Sequence, residues 1–206
     1  MRLYYSPGAC SLAPHIIARE TGVTIDLVWV DLAEKRTELG EDFASINIKG
    51  AVPALILDNG AVLTEGAVIS QYIADLSAEA GLMPAHGTFE RYRALEWLNY
   101  VSTELHKGFG PLLRKETPAE VRHSVANTLG RKFSFVDRHL SKQDYLLTSG
   151  FSAADAYAFT VLSWAPHVGI ALAPWPNMTA YLKRISERPS VREALIAEGL
   201  LDADAA

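Results

Sequence analysis

In the first third of the chain the spacing of apolar residues switches repeatedly between strand-like and helix-like. Leu3-Tyr4-Tyr5 reads as a short strand, Pro7-Gly8 turns the chain, and an amphipathic run follows from Ser11 to Gly22. Leu27-Val28-Trp29-Val30 is an unbroken run of β-formers, which predicts a strand covered on both faces. Residues Leu32 to Phe43 are charged and weakly amphipathic and predict an exposed second helix. Ala54-Leu55-Ile56-Leu57 and Ala61-Val62-Leu63 flank Asp58-Asn59-Gly60, a hairpin signal because Asn-Gly supplies the positive φ angles of a tight turn. A helix opening at Thr64 or Glu65 then repeats Val68, Ile69, Tyr72, Ile73 and Leu76 at threes and fours. The predicted order is β-α-β-α-β-β-α.

Strand signals fade after Gly81, Pro84 and Gly87, which predicts a domain over 1–78, a linker over 79–87 and an all-helical domain over 88–206. Its helices are predicted from Phe89 to Leu113, Pro118 to Leu140, Ser152 to His167, Met178 to Glu187 and Val191 to Glu198, with Asp202 to Ala206 fraying.

On the helix from Phe89, at about 100° per residue, Ala94, Leu98, Val101, Leu105, Phe109 and Leu112 share one side. Asn99, Thr103, His106 and Gly110 stack on another. Periodicity alone fits either a solvated face or the wall of a site. Ser152-Ala153-Ala154-Asp155 is a capping-box entry that carries folding rather than chemistry, and Phe151 before it lacks a large staple partner at Ala156.

Composition adds limits. The chain has 206 residues, 49% hydrophobic and 21% charged, with a net charge of -5, so it has no electrostatic reason to bind nucleic acid. No run approaches the roughly 18 apolar residues of a membrane span and no apolar leader opens the chain, which predicts a cytoplasmic protein away from membranes. One cysteine excludes an internal disulfide, and no Cys/His cluster has zinc spacing, so no metal is expected. That cysteine, Cys10, lies between a turn and a helix, and Pro14 keeps the helix from starting much before Ser11. The unpaired N–H groups of a helix mouth favour a thiolate.

Four segments in this order resemble the cytosolic glutathione transferases, most of all the bacterial beta class: Tyr5-Ser6-Pro7-Gly8-Ala9-Cys10-Ser11, Gly50-Ala51-Val52-Pro53-Ala54-Leu55, Thr64-Glu65-Gly66-Ala67, and Trp97-Leu98-Asn99-Tyr100 with Thr103-Glu104-Leu105-His106-Lys107. The resemblance implies an α+β architecture, with a thioredoxin-like N-terminal domain followed by an all-α domain. It also implies a homodimer, and glutathione as co-substrate between the domains. It assigns glutathione contacts to Cys10, Lys35, Val52, a cis-Pro53 corner, Glu65, Gly66, Asn99, Thr103, Glu104, Leu105 and His106, with Glu104 serving the neighbouring subunit's site. Cys10, Ser11 and His106 become the catalytic residues. Lys107, Trp164 and His167 are the expected electrophile pocket. As bare residues, Glu65 also reads as a first-turn acid and Lys35 as a solvated lysine, while the resemblance, through tyrosines near the first strand's end in other transferase classes, implies Tyr5 as a further candidate donor to the thiolate.

The activity implied is conjugation of glutathione to hydrophobic electrophiles, a detoxification chemistry. A secondary thiol-transferase or peroxidase activity through a Cys10–glutathione mixed disulfide goes with it. The alternative is a non-catalytic ligand-binding or partner-binding module on the same scaffold. His15 is expected to pack on its helix, and His86, His123 and His139 to be solvated.

Overall fold

The computed structural model describes residues 1–203; the expected fraying of Asp202 to Ala206 lies partly outside them. The chain forms two compact units. One comprises Met1–Met83 together with the segment from Glu187 on, the other Pro84–Ser186. The sequence predicts an all-helical domain over the whole of 88–206. The last helix instead packs on the first, so the end of the chain belongs to the N-terminal unit.

That unit holds a five-stranded sheet in the order β3-β2-β1-β4-β5. Its strands are β1 (Arg2–Tyr5), β2 (Asp26–Asp31), β3 (Arg36–Thr37), β4 (Ala54–Ile56) and β5 (Val62–Thr64). β1 runs parallel to β2 and antiparallel to β4, while β4 and β5 form the expected hairpin. Its connection spans residues 57–61, and there Gly60 takes the positive φ while Asn59 does not.

Tyr4, Val28, Val30, Phe43, Val52 and Ala54 cluster on one face of the sheet. Leu3 and Leu55, paired side by side and fully buried, point to the other. β2 departs from expectation: Val28 and Val30 are buried, but Trp29 between them is 38% exposed, so the strand alternates rather than being covered on both faces. The predicted helix over 32–43 also fails to form. Its charged residues bury too little to hold one, and the segment instead folds as β3 and a single turn, α2 (Phe43–Ile46), whose Asp42 accepts from Ala44 N–H. Helices α1 (Leu12–Thr21), α3 (Gly66–Asp75) and α9 (Pro189–Ala197) complete the unit, with α1 packed on both others.

The helical unit contains α4 (Phe89–Tyr100), α5 (Lys107–Leu113), α6 (Ala119–Leu140), α7 (Ala153–Leu162) and α8 (Pro176–Ser186). α4 and α5 are not the one regular helix predicted. Residues Val101–His106 between them are π-helical, and Lys107 N–H bonds to Ser102 C=O, five residues back. α7 ends at Leu162, so Trp164 and His167 lie beyond it, His167 in a 3₁₀ turn at Pro166–Val168.

Every residue of α7 is buried. Such a helix start needs its polar groups satisfied internally. Asp155 reaches back to Ser152 N–H at 2.9 Å and accepts from Ser152 Oγ at 2.6 Å, Leu146 N–H at 2.8 Å and the Tyr181 hydroxyl at 3.0 Å. Phe151 packs edge-on to Tyr145. Burial pushes the Asp155 carboxyl up to about 6, against the pull of those donors.

A folded-state pKa above the unfolded value of about 3.9 gives stability that is full below pH ~4 and lost as pH rises through ~6. Asp155→Ala strands four buried donors and should lower unfolding free energy by roughly 3 kcal/mol in urea melts. The gap between wild type and variant should be widest near pH 4 and shrink to a plateau above pH 6. Equal stability of the two at every pH would contradict this account.

Candidate active site

Three separate stretches of the N-terminal unit meet at Cys10. The loop from Ser6 to Ser11 is closed at its base: Ala9 N–H bonds to Ser6 C=O at 3.0 Å, Ser11 Oγ accepts from Ser6 N–H at 3.2 Å and donates to Ser6 C=O at 3.3 Å. α1 begins after this turn, so Cys10 precedes its first residue by two positions. The Cys10 thiol donates to Val52 C=O at 3.2 Å, a contact only the S–H form makes. The Val52–Pro53 bond is cis, as the resemblance implied. Gly66 opens α3 against the same corner: a Cβ there would lie 3.7 Å from Pro53 Cγ and 3.8 Å from Cys10 C=O.

Glu65 sits just before α3 with φ 73°, a conformation that side chains rarely adopt. Its carboxylate does not cap the helix but pairs with Lys49 Nζ at 2.6 Å, which also bonds Thr64 Oγ1 at 2.9 Å. Val68 and Ile69 N–H bond to Glu65 C=O, leaving the amides of Gly66 and Ala67 in the open first turn. An open helix start beside a carboxylate suits a ligand carrying both an anion and an ammonium.

Ser11 corrects an expectation. It is fully buried and its one hydroxyl proton goes to Ser6 C=O, so its role is closing the loop rather than donating to a sulfur. Lys35 lies in a left-handed turn rather than an exposed helix, and its Nζ bonds Gly50 C=O at 2.8 Å. Tyr5 is partly buried, and burial, then the charges of Glu198 and Glu38, raises its phenol pKa.

In the helical unit, the π-helical stretch separates the residues of the expected polar stripe. Asn99 and Thr103 are exposed, with Thr103 Oγ1 bonded to Asn99 C=O. His106 is half-buried, its Nδ1 2.6 Å from the Tyr157 hydroxyl and its ring 5.0 Å edge-on from Trp164, which also packs on Phe109. Glu104 pairs with Lys132 of α6 at 2.8 Å, which holds its carboxyl below the usual range. Leu105 is a fully buried core residue, which leaves its side chain no access to a ligand. Lys107 is exposed, and His167 faces Ser163 C=O at 3.1 Å.

A groove of about 440 Å³ in this unit is lined by Trp97, Tyr100, Phe135 and His139, and by none of Lys107, Trp164 and His167. Of the expected electrophile pocket, Trp164 packs on the His106 ring. His139, expected to be solvated, is half-buried 4.7 Å from Trp97, and burial lowers its pKa. Sequence reasoning missed Lys49 and Tyr157. Tyr157 and Thr160 are the hydroxyls of a mostly apolar helix, which was the available sign for Tyr157; Lys49 carried none.

The N-terminal domain model of the glutathione S-transferases matches residues 8–76, and their C-terminal domain model matches residues 100–189. The glutathione S-transferase GstA of Escherichia coli O157:H7 is 48% identical over 97% of this chain and all of its own length. The chain belongs to the glutathione S-transferase family. A second relative from Xanthomonas campestris, glutathione S-transferase GST-4.5, is 35% identical over 97% of this chain and all of its own. Among solved structures, BphK, a bacterial transferase in a ternary complex, has a TM-score of 0.95 at 48% identity, covering 97% of this chain and all of BphK. The bacterial beta-class enzyme of Sphingomonas chungbukensis has a TM-score of 0.95 at 46% identity, covering 98% of this chain and all of its own. These kinships support a glutathione transferase enzyme over a non-catalytic module.

Tyr157→Phe removes one hydroxyl and leaves the ring packing of this transferase in place. Stability should fall by about 1 kcal/mol, the usual worth of one hydrogen bond. The His106 ring ¹⁵N resonances should move as well, because the phenol no longer sets the Nδ1 proton. Unmoved resonances would mean that the hydrogen bond does not exist in solution.

Proposed function

We propose that this chain binds glutathione on its N-terminal unit and conjugates it to small hydrophobic electrophiles, acting in the cytoplasm as a homodimer. The observation that carries this reading is the meeting of Cys10, the cis Val52–Pro53 corner and the start of α3 within a few ångströms. The γ-glutamyl carboxylate is placed on the amides of Gly66 and Ala67, and its ammonium on Glu65, displacing Lys49. Lys35 is proposed for the glycine carboxylate.

The cysteinyl unit pairs along Val52. Its N–H then competes with the Cys10 thiol for Val52 C=O, and the released S–H turns to donate to the glutathione thiolate. In the helical unit, His106 and Trp164 are proposed for the electrophile, and Asn99, Thr103 and Glu104 for glutathione. Rate then comes from holding the thiolate dry and in line with its target.

The same arrangement supports exchange. The Cys10 thiolate attacks the glutathione sulfur of a mixed disulfide, releases the other thiolate, and forms a Cys10–glutathione disulfide. A second glutathione thiolate attacks that sulfur, leaves as glutathione disulfide and returns Cys10 as a thiolate, so electrons balance at each step.

Conjugation of a halogenated nitroaromatic compound by purified protein should exceed the buffer rate, and no excess from folded protein overturns the reading. Cys10→Ala should keep conjugation within about threefold while losing disulfide exchange by roughly a hundredfold or more. Equal losses would rule out separate roles for the two sulfurs.

A further inference from the structure

Gly8, two residues before Cys10, is held from the far end of the chain. Its N–H donates to Glu198 Oε2 at 2.9 Å, and the other oxygen of that carboxylate lies 2.9 Å from His15 Nδ1. Arg19 Nε is 3.3 Å from His15 Nε2. A guanidinium N–H only donates, so Nε2 must accept, and the ring proton sits on Nδ1 and is given to Glu198. The Glu198 side chain is 0% exposed and that of His15 2%, so no water can replace either bond. Leu200 closes the other side: a Cβ on Gly8 would lie 3.6 Å from its Cδ2. Gly8 itself has φ +69°, a conformation side chains resist.

The loop therefore has two separate supports. Ser6 and Ser11 bond across its base, whereas its apex at Pro7-Gly8 is held by Glu198. We propose that Glu198, oriented by His15 and backed by Leu200, is a positioning residue for Cys10. The segment after α9 sets where the thiol stands against Val52, and through it where the glutathione sulfur is received. The last clause rests on the function proposed above; the hold on Cys10 does not.

Glu198→Gln tests this without a change of volume, because its amide N–H₂ must oppose either the Gly8 N–H or the His15 Nδ1–H, donor against donor. Glu198→Ala removes both bonds. In each folded variant, exchange of the Gly8 amide should quicken about tenfold or more, while core amides of β1 and β4 keep their protection. Alkylation of Cys10 by iodoacetamide, without glutathione, should quicken about threefold as the thiol leaves Val52. Thiol–disulfide transfer through Cys10 should slow about tenfold, while conjugation stays within about threefold as in Cys10→Ala, since misplacement of a reacting atom slows the chemistry that atom performs.

Wild-type Gly8 exchange and Cys10 alkylation in folded Glu198→Gln would overturn the proposal. So would a loss of thiol–disulfide transfer matched by an equal loss of folded protein. If exchange and alkylation respond while wild type conjugates nothing, the positioning of Cys10 stands and the glutathione reading falls.

Discussion

Taking a carboxylate out of water costs several kcal/mol unless donors replace the water, and among the described residues Asp155 and Glu198 are in that position. Asp155 gathers Leu146, Ser152 and Tyr181 in the helical unit. Glu198 gathers Gly8 and His15 in the N-terminal unit. Neither group can give up its donors without stranding a charge, so each fixes the segments that supply them. In the helical unit those segments are the loop before α7, the start of α7 and α8. In the N-terminal unit they are the Cys10 loop, α1 and the tail that follows α9. Each unit is thus closed by one buried acid, and in the N-terminal unit that acid bears on the site.

How far each of these was legible follows from sequence separation. Ser152 and Asp155 are three residues apart, a spacing that states its own geometry, and the cap was read as a cap. Gly8 and Glu198 are 190 residues apart. Nothing local distinguishes Glu198, just past the last helix, from Glu193 within it, so neither the brace nor the return of α9 to the first unit had a signal. His15 shows the middle case: its burial on α1 was expected, but the acid it faces was not.

The helix from Phe89 shows a different limit. Counting at about 100° per residue assumes an even winding, and it placed the apolar side correctly because Val101, Leu105, Phe109 and Leu112 all lie in the core. It failed on the polar side, where the π-helical stretch widens the turn and sends His106 to Tyr157 while Thr103 stays in solvent. An apolar face is averaged over many residues and survives a local change of pitch; a three-residue polar stripe does not. The segment over 32–43 failed for the opposite reason, having too little apolar surface to hold a helix against the cost of ordering it. Cys10, Val52, Glu65 and Gly66 came from motif resemblance, and the structure brings their segments together without any of their roles being readable from spacing.

Lys49 completes this picture by showing why the site can be both occupied and open. Its pair with Glu65 is about half exposed on both partners, 53% and 62%, and pairs of that kind contribute roughly 0–1 kcal/mol. A ligand ammonium that brings further bonds of its own can displace Lys49 at little cost. Glu65, by contrast, is held in a backbone conformation suited to glycine, which costs of order 1–3 kcal/mol. The fixed partner is the acid and the exchangeable one is the lysine, an asymmetry that favours recognition of an ammonium over that of an anion at this position.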